Sequence, residues 1–387
     1  MQLQLYLHFP FCKRKCCYCD FCSSPGTAEE MESYCRALEK EILVNAPLWR
    51  DWTVSTIYIG GGTPSILPAS AMNRVMDTLL RSFRLEKDAE FTAEANPGTL
   101  REDWLETMLA HGLNRVSLGV QAAQERLLQT LGRIHTFQEA EQATTLCRKA
   151  GIQNLNLDLM FALPGQTMED WRETLEKSCR LAPEHLSAYS LILEEHTPLW
   201  ERARRGEIQI PGEDEAADLM EATREILEGK GYRQYEISNY AREGCQCRHN
   251  IGYWQGAWYL GLGVGAHSML PPSPGDKDIC RIRRANEEDR NRYVQACLAE
   301  ESPTKQEQRI SWREAMFETM MLGLRMNRGV DGQNFRRQFG QSPEQAYGPV
   351  LSRLTAQGLG LWTPEGGYTL TPRGRMVQNE VLLSLMD

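Results

Sequence analysis

Short apolar runs alternate with amphipathic stretches through the first half of the chain, and no other feature restricts its fold as strongly. Residues 3–8, 54–60, 90–96, 115–121, 154–160 and 185–193 are rich in Ile, Leu, Val, Tyr or Phe and are bounded by Gly, Pro or Asn, as strands are. Between them, residues 29–44, 69–83, 101–111, 138–150 and 168–181 carry helical periodicity. Thr27 stands three residues before Glu30 as a capping box for the first of these. Such alternation predicts a parallel sheet with right-handed crossovers. Six units are too few for a complete eight-stranded barrel. An open, partial barrel and a doubly wound sheet both accommodate them. In a barrel the site lies at the C-terminal ends of the strands. Those ends carry Gly60, Gly61, Gly62 and Thr63, then Glu94, Gln121 and Asp158, all polar or glycine after apolar residues. One shared site at one rim is expected.

Beyond residue 200 the texture changes. A helical stretch over 213–230 leads to 235–240 and then to an aromatic and glycine-rich segment over 248–267. After residue 300 the pattern is helix (350–357), short strand (359–363), a turn at Glu365, Gly366 and Gly367, strand (368–371) and helix (373–385). That order suggests a small α+β, winged-helix-like module, either a docking unit or a cap on the barrel end. The expected division is 1–200 for the barrel, 201–300 for an extension and 301–387 for the terminal module. The net charge of −9 argues against a general nucleic-acid binder. No apolar run approaches the roughly 20 residues of a membrane helix. The first ten residues lack the basic segment and cleavage site of a signal peptide. A cytoplasmic location is the expectation.

Twelve cysteines in a reducing compartment are not expected to form disulfides. Five of them, Cys12, Cys16, Cys17, Cys19 and Cys22, fall within one short segment, which points to metal ligation. Cys35, Cys147 and Cys179 lie in helical patterns and suit a core. Cys12, Cys16 and Cys19 form C-x3-C-x2-C. Three thiolates of one loop can hold a [4Fe–4S] cluster and leave one iron open to an outside ligand. Lys13, Arg14 and Lys15 favour the thiolates. Two rivals exist. Cys16, Cys19 and Cys22 read as C-x2-C-x2-C without the C-x3-C-P element that follows in ferredoxins, and zinc sites pair two separated knuckles. Cys17 and Cys22 are spare thiols in the first frame.

With this loop after the first strand, and Tyr18 before its third cysteine, the chain resembles the radical S-adenosylmethionine superfamily. The resemblance covers most of the chain and is nearest to the coproporphyrinogen-dehydrogenase-like branch, among HemW-type haem chaperones. It implies a partial (β/α)6 barrel binding a [4Fe–4S] cluster and S-adenosylmethionine, whose reductive cleavage yields a 5′-deoxyadenosyl radical. Gly60-Gly61-Gly62-Thr63-Pro64 matches the family's GGTP motif, which implies that backbone at Gly61, Gly62 and Thr63 meets the methionine ammonium. Glu94, Gln121, Arg133 and Asp158 match further cofactor contacts: an acid near the methionine, a strand-end amide, a fork for the carboxylate and an acceptor for ribose hydroxyls. Tyr6 and Tyr18 match aromatic positions bordering the cofactor.

Arg248-His-Asn-Ile-Gly-Tyr-Trp254 matches the HNxxYW motif of the haem-chaperone branch and implies haem contacts at His249, Asn250, Tyr253 and Trp254, with His267 a second candidate ligand. Read as residues alone, His249 and Asn250 are equally hydrogen-bonded loop residues, and Tyr253 and Trp254 core packing. The oxidases of the branch carry a fourth cysteine where this chain has Phe21, and an N-terminal extension. Cys22 and Cys17 depart from the chaperone pattern, and Cys245 and Cys247 are unassigned. The resemblance thus implies a haem carrier with a haem-acceptor protein and an electron donor such as flavodoxin or ferredoxin. A homodimer and a peripheral membrane contact are open. The alternative is a radical enzyme on a tetrapyrrole, decarboxylating coproporphyrinogen III or opening haem.

Overall fold

The computed structural model describes residues 1–386; Asp387, the last residue of the expected terminal module, lies outside them. The N-terminal half runs β1 (Gln2–Phe9), α1 (Ala28–Asn45), β2 (Thr53–Gly61), α2 (Ala69–Ser82), β3 (Arg84–Ala95), α3 (Glu102–Ala110), β4 (Arg115–Gln121), α4 (Glu125–Thr130), α5 (Phe137–Lys149), β5 (Asn154–Phe161), α6 (Met168–Arg180) and β6 (His185–Ser190). Thr27 and Glu30 form the anticipated reciprocal cap on α1. The sixth strand stops short of residue 193. Ser190 is its last paired residue, opposite Phe161, and the Leu191 N–H closes the ladder on Phe161 O.

Strands β1 to β6 are parallel and adjacent in chain order. A doubly wound sheet reverses its strand order at a switch point; this one never does, so it curls as a partial barrel. Side chains alternate across each strand. One set, including Leu3, Leu5, Leu7, Ile57, Ile59, Val116, Leu118, Leu155 and Leu157, is buried in the main hydrophobic core. The other set is largely polar: Gln4, Tyr6, His8, Thr56, Tyr58, Glu90, Glu94, Arg115, Ser117, Asn156 and Asp158. A polar lumen inside an apolar shell is the arrangement of a binding barrel rather than of a packed one.

The chain continues as α7 (Pro198–Arg204), α8 (Glu213–Gly229), β7 (Arg233–Gln234), β8 (Asn239–Ala241), α9 (Arg248–Trp254), β9 (Tyr259–Leu262), β10 (His267–Leu270), β11 (Ile279–Asn286), α10 (Arg290–Leu298) and β12 (Thr304–Ser311). These strands extend the same sheet at both edges: β8 pairs antiparallel with β6, and β9 pairs parallel with β1. The result is one twelve-stranded sheet. The end of the chain is α11 (Trp312–Gly323), α12 (Gly332–Phe339), α13 (Pro343–Ala356), β13 (Gly360–Trp362), β14 (Tyr368–Leu370), α14 (Pro372–Met376) and α15 (Gln378–Leu383). It has its own core around Met320, Leu324, Phe335, Leu351 and Tyr368, as a winged-helix-like unit requires. The single helix expected over 373–385 is two, because Val377 leaves helical dihedrals. No helix among the described residues is long and apolar enough to cross a membrane.

Candidate functional site

The cysteine loop follows β1 and is tied down along its length. Cys12 N–H donates to Ser24 O and Cys17 N–H to Leu131 O. Arg14 places its guanidinium on Gly132 O at 2.7 Å. These bonds carry Cys12, Cys16 and Cys19 to the wall of a cavity of about 360 Å³ at the C-terminal ends of the strands. Among the described residues, no three His, Cys, Asp or Glu side chains converge on a point where a single metal ion would be held. The three thiols instead line a shared wall, which suits a cubane cluster with ligands spread around it. Thr63 Oγ1 reaches Cys12 Sγ at 3.5 Å and Arg133 Nη1 reaches Cys16 Sγ at 3.4 Å.

The glycine run has a separate reason at each position. A Cβ at Gly60 would lie 2.7 Å from the Glu94 carboxylate. Gly61 has φ +97°, and a Cβ there would strike the His8 ring. At Gly62 it would meet Phe9 O at 2.5 Å. Only glycine lets this backbone pass between β1 and Glu94. The ladder between β2 and β3 ends at Ile59 and Ala93, while the other side of the glycine run stays paired with β1 at His8 and Phe9; on the β3 side Gly61 N–H turns to the Glu94 carboxylate.

Glu94 accepts from Tyr58 Oη at 2.8 Å and from Gly61 N–H at 3.2 Å. Burial, and then the nearby Asp158 carboxylate, push its pKa up to about 7. Asp158 accepts from Ser117 Oγ and Asn156 Nδ2, both at 2.8 Å, and burial raises its pKa too. Two enclosed carboxylates facing one cavity call for a cation or for hydroxyl donors. Gln121 has φ +65° at a register shift in β4. A bulge there re-aims the amide into the site. Gly119, having no side chain, makes room for Arg133, whose Nη2 donates to Gly119 O at 2.6 Å. Gln121 Oε1, Arg133 Nε and Asn96 Oδ1 are buried with no partner, and all three residues line this cavity. Such atoms are costly unless a ligand satisfies them. The residues present therefore fit S-adenosylmethionine: acceptors for its ammonium and ribose, a guanidinium for its carboxylate, and an open cluster position beside them.

Of the expected contacts, Tyr18, Gly61, Gly62, Thr63, Glu94, Gln121, Arg133 and Asp158 line this cavity. Tyr6 does not. It lies one strand further round the sheet, in a neighbouring cavity of about 890 Å³, where its hydroxyl bonds His8 Nδ1 at 3.1 Å. Tyr58, Asn96, Ser117 and Tyr189 line the smaller cavity without having been singled out. Period-two alternation would have found Tyr58 from Gly60, Asn96 from Glu94 and Ser117 from Gln121, but not Tyr189, whose strand β6 carried no candidate. Gly61 and Glu94 are shared by both cavities.

Comparison with known proteins agrees with this geometry. A radical SAM superfamily model matches residues 6–177 and a HemN C-terminal domain model matches residues 310–377. The protein named heme chaperone HemW of Lactococcus lactis is 36% identical over 97% of this chain and 95% of its own. That of Bacillus subtilis is 33% identical over 97% of each. This chain belongs to the HemW family of radical SAM proteins. The fold is shared with coproporphyrinogen III oxidase (HemN) of Escherichia coli, at TM-score 0.82 and 25% identity over 99% of this chain and 89% of that one.

The segment that carries the HemW-type HNxxYW motif is α9. Its N-terminus is capped from another strand: Glu90 accepts from Arg248 N–H at 2.8 Å and His249 N–H at 3.0 Å. His249 is buried, with Nδ1 on Thr56 Oγ1 at 2.7 Å and Nε2 on Tyr253 Oη at 2.9 Å. Burial lowers its pKa to about 3. Both ring nitrogens are thus within hydrogen-bond reach of a hydroxyl, Thr56 on one side and Tyr253 on the other. Tyr253 and Trp254 line both the larger cavity and a third one, whereas Asn250 lines the third alone. His267, the second candidate, is exposed on the larger cavity's wall. Cys22 lines that cavity as well, while Cys247 is buried against Glu90, with its pKa raised to about 12 by burial.

Proposed function

We propose that this chain binds haem in the larger cavity and passes it to an acceptor protein, with the cluster and S-adenosylmethionine in the adjoining cradle governing its state. The observation that carries this reading is the shared wall. A space of about 890 Å³, flanked by Tyr6, Tyr253, Trp254 and Tyr259, opens directly onto Gly61 and Glu94 of the cofactor site. Aromatic walls bury a large flat ligand, and relatives named heme chaperone match nearly the whole chain. When bound, the cluster and S-adenosylmethionine supply one-electron chemistry. The chain's own part is to hold both cofactors by Cys12, Cys16, Cys19, Glu94, Gln121, Arg133 and Asp158, and to keep water from the wall they share. Tyr6 belongs to the haem side of that wall. An electron donor, the acceptor and a second copy of the chain are the partners this role calls for.

A second reading, a radical enzyme acting on a tetrapyrrole, is favoured by the likeness to coproporphyrinogen III oxidase over 99% of the chain. A haem titration of the anaerobically reconstituted protein, followed by Soret absorbance, separates the two. Saturable one-to-one binding with no 5′-deoxyadenosine formed in proportion to altered porphyrin is the carrier's result. Absence of saturable binding, or stoichiometric 5′-deoxyadenosine with a changed porphyrin, overturns it. His249→Ala is expected to bind haem with an unchanged Soret position, because its ring is spent on Thr56 and Tyr253.

A further inference from the structure

The hairpin of β10 and β11 forms one wall of the larger cavity. Met269 is registered opposite Arg283 and His267 opposite Ala285. Alternation then puts His267 and Met269 on the same face as Arg281 and Arg283, and all four line the cavity. Arg281 is fully buried, yet its guanidinium has a single hydrogen bond to a protein acceptor, Nη2 to Thr319 Oγ1 at 3.0 Å. Its Nε and Nη1 have no partner. The neighbouring acid, Glu318, gives one oxygen to Arg283 at 2.6 Å, and its other oxygen, Oε2, is buried with no partner. From α9, the Trp254 indole N–H also lacks an acceptor. Arg281 makes no ion pair among the described residues, and a buried cation without one is unfavourable. A set of donors with no acceptor, facing a cavity, is the mirror image of a ligand carboxylate.

His267 sits at the other end of the same face, about four residues or roughly 13 Å along the strand from Arg281. Its ring is exposed to the cavity and takes no part in a side-chain hydrogen bond among the described residues.

Building on the haem-binding reading, we propose that Arg281 anchors a carboxylate of the bound tetrapyrrole and that His267 supplies the ligand to its iron. The porphyrin then lies along the β10–β11 hairpin with its edge toward α11. His249 is a positioning residue that holds Tyr253 against the opposite wall.

The test compares haem, haem dimethyl ester and metal-free protoporphyrin IX as ligands of the reconstituted full chain, with Arg281→Met, Arg281→Lys and His267→Ala. Wild type is expected to bind haem at least tenfold more tightly than the diester. Arg281→Met removes that preference while leaving diester affinity unchanged, and unchanged diester binding shows that the variant is folded. His267→Ala shifts the ferric Soret band and weakens haem tenfold or more, with protoporphyrin IX affinity unaltered. Equal wild-type affinity for haem and its diester, or a preference that survives in Arg281→Met, overturns the anchor. If Arg281→Met does not fold, the wild-type ratio and its change in Arg281→Lys decide the same point. An unchanged spectrum in His267→Ala overturns the ligand. Failure of every protein to bind haem saturably overturns the haem reading itself, a result distinct from saturable binding that ignores these two residues.

Discussion

Glu94 concentrates the chemistry of the cradle in one carboxyl group. Enclosure by protein and the charge of Asp158 hold its pKa near 7, so in the cofactor-free protein the folded state disfavours its ionised form. The sign follows from linkage: an acid raised from 4.5 to about 7 costs the folded state stability as pH climbs through that window, and the loss is complete above it. Glu94→Gln lacks this loss. The variant is therefore expected to gain stability relative to wild type between pH 5 and pH 8, by on the order of 1–3 kcal/mol, in parallel denaturant titrations. It is also expected to bind S-adenosylmethionine at least tenfold more weakly, since the amide offers the ammonium no charge. A stability difference that stays flat with pH would show that Glu94 ionises freely. The same scale separates the histidines. His249 is consumed by two hydrogen bonds and His267 by none, although the motif around His249 is the more conspicuous in sequence.

Among the elements, α9 depends on a residue 158 positions away. Helix N-termini leave backbone donors unsatisfied, usually capped by a side chain just before the helix. Here the preceding residue is Cys247, whose side chain makes no cap bond to the helix, and Glu90 of β3 takes the first two N–H groups instead. Glu90→Ala is expected to destabilise the protein by about 2–3 kcal/mol, combining a lost cap with stranded buried donors. The free energy would be read from urea denaturation. Iron and sulfide content should remain that of wild type, because the cysteine loop is anchored through Ser24, Leu131 and Gly132. Loss of the cluster in this variant would mean that α9 and the loop are coupled. The glycine run is the opposite kind of element, in which each residue is required by a specific neighbour within β1 or β3.

At the scale of the molecule, the terminal module is joined to the barrel through α11, at Arg281–Thr319 and Arg283–Glu318, and through the turn that follows it. Arg325 lies over the Trp254 ring at 4.4 Å and reaches Glu236, fully buried, at 3.9 Å. Asn327 Nδ2 donates to Gln234 O at 2.7 Å. Through α11 the module contributes Glu318, Met321 and Leu322 to the larger cavity. Arg325→Ala is expected to cost about 1–2 kcal/mol through the lost stacking and the uncompensated Glu236 charge. Limited proteolysis should then separate the module from the barrel sooner than in an Arg328→Ala control, and haem affinity should fall while S-adenosylmethionine affinity holds. Equal proteolysis of the two variants would place the clasp elsewhere.

Much of this was legible from residues 1–193, where each crossover buries an apolar face and period alone separates strand from helix. The cysteine spacing, the glycine run, Glu94, Gln121 and Asp158 are local patterns at strand ends, and Arg133 follows the short helix α4, so reading the strands and the loops after them indicated the cradle. The sequence alone could not choose between a barrel and a doubly wound sheet, because that depends on which strands become neighbours. Nor did it show that residues beyond 200 add strands to both edges of the same sheet, since edge pairing is non-local. Tyr6 lines the larger cavity rather than the smaller one for the same reason: its place on β1, one strand round from the cradle, follows from sheet pairing, not from its neighbours in the chain. The hydrogen bonds of the His249 ring and the buried, unpartnered atoms of the Arg281 guanidinium lie further still from sequence. A hydrogen-bond partner is set by packing between elements, and Thr56, Tyr253 and Thr319 meet those side chains only after the sheet has closed on itself. Local periodicity determined the barrel's elements, and the motifs between them the candidate cofactor contacts; tertiary contact alone decided which polar groups were left without partners, because packing between elements sets each partner.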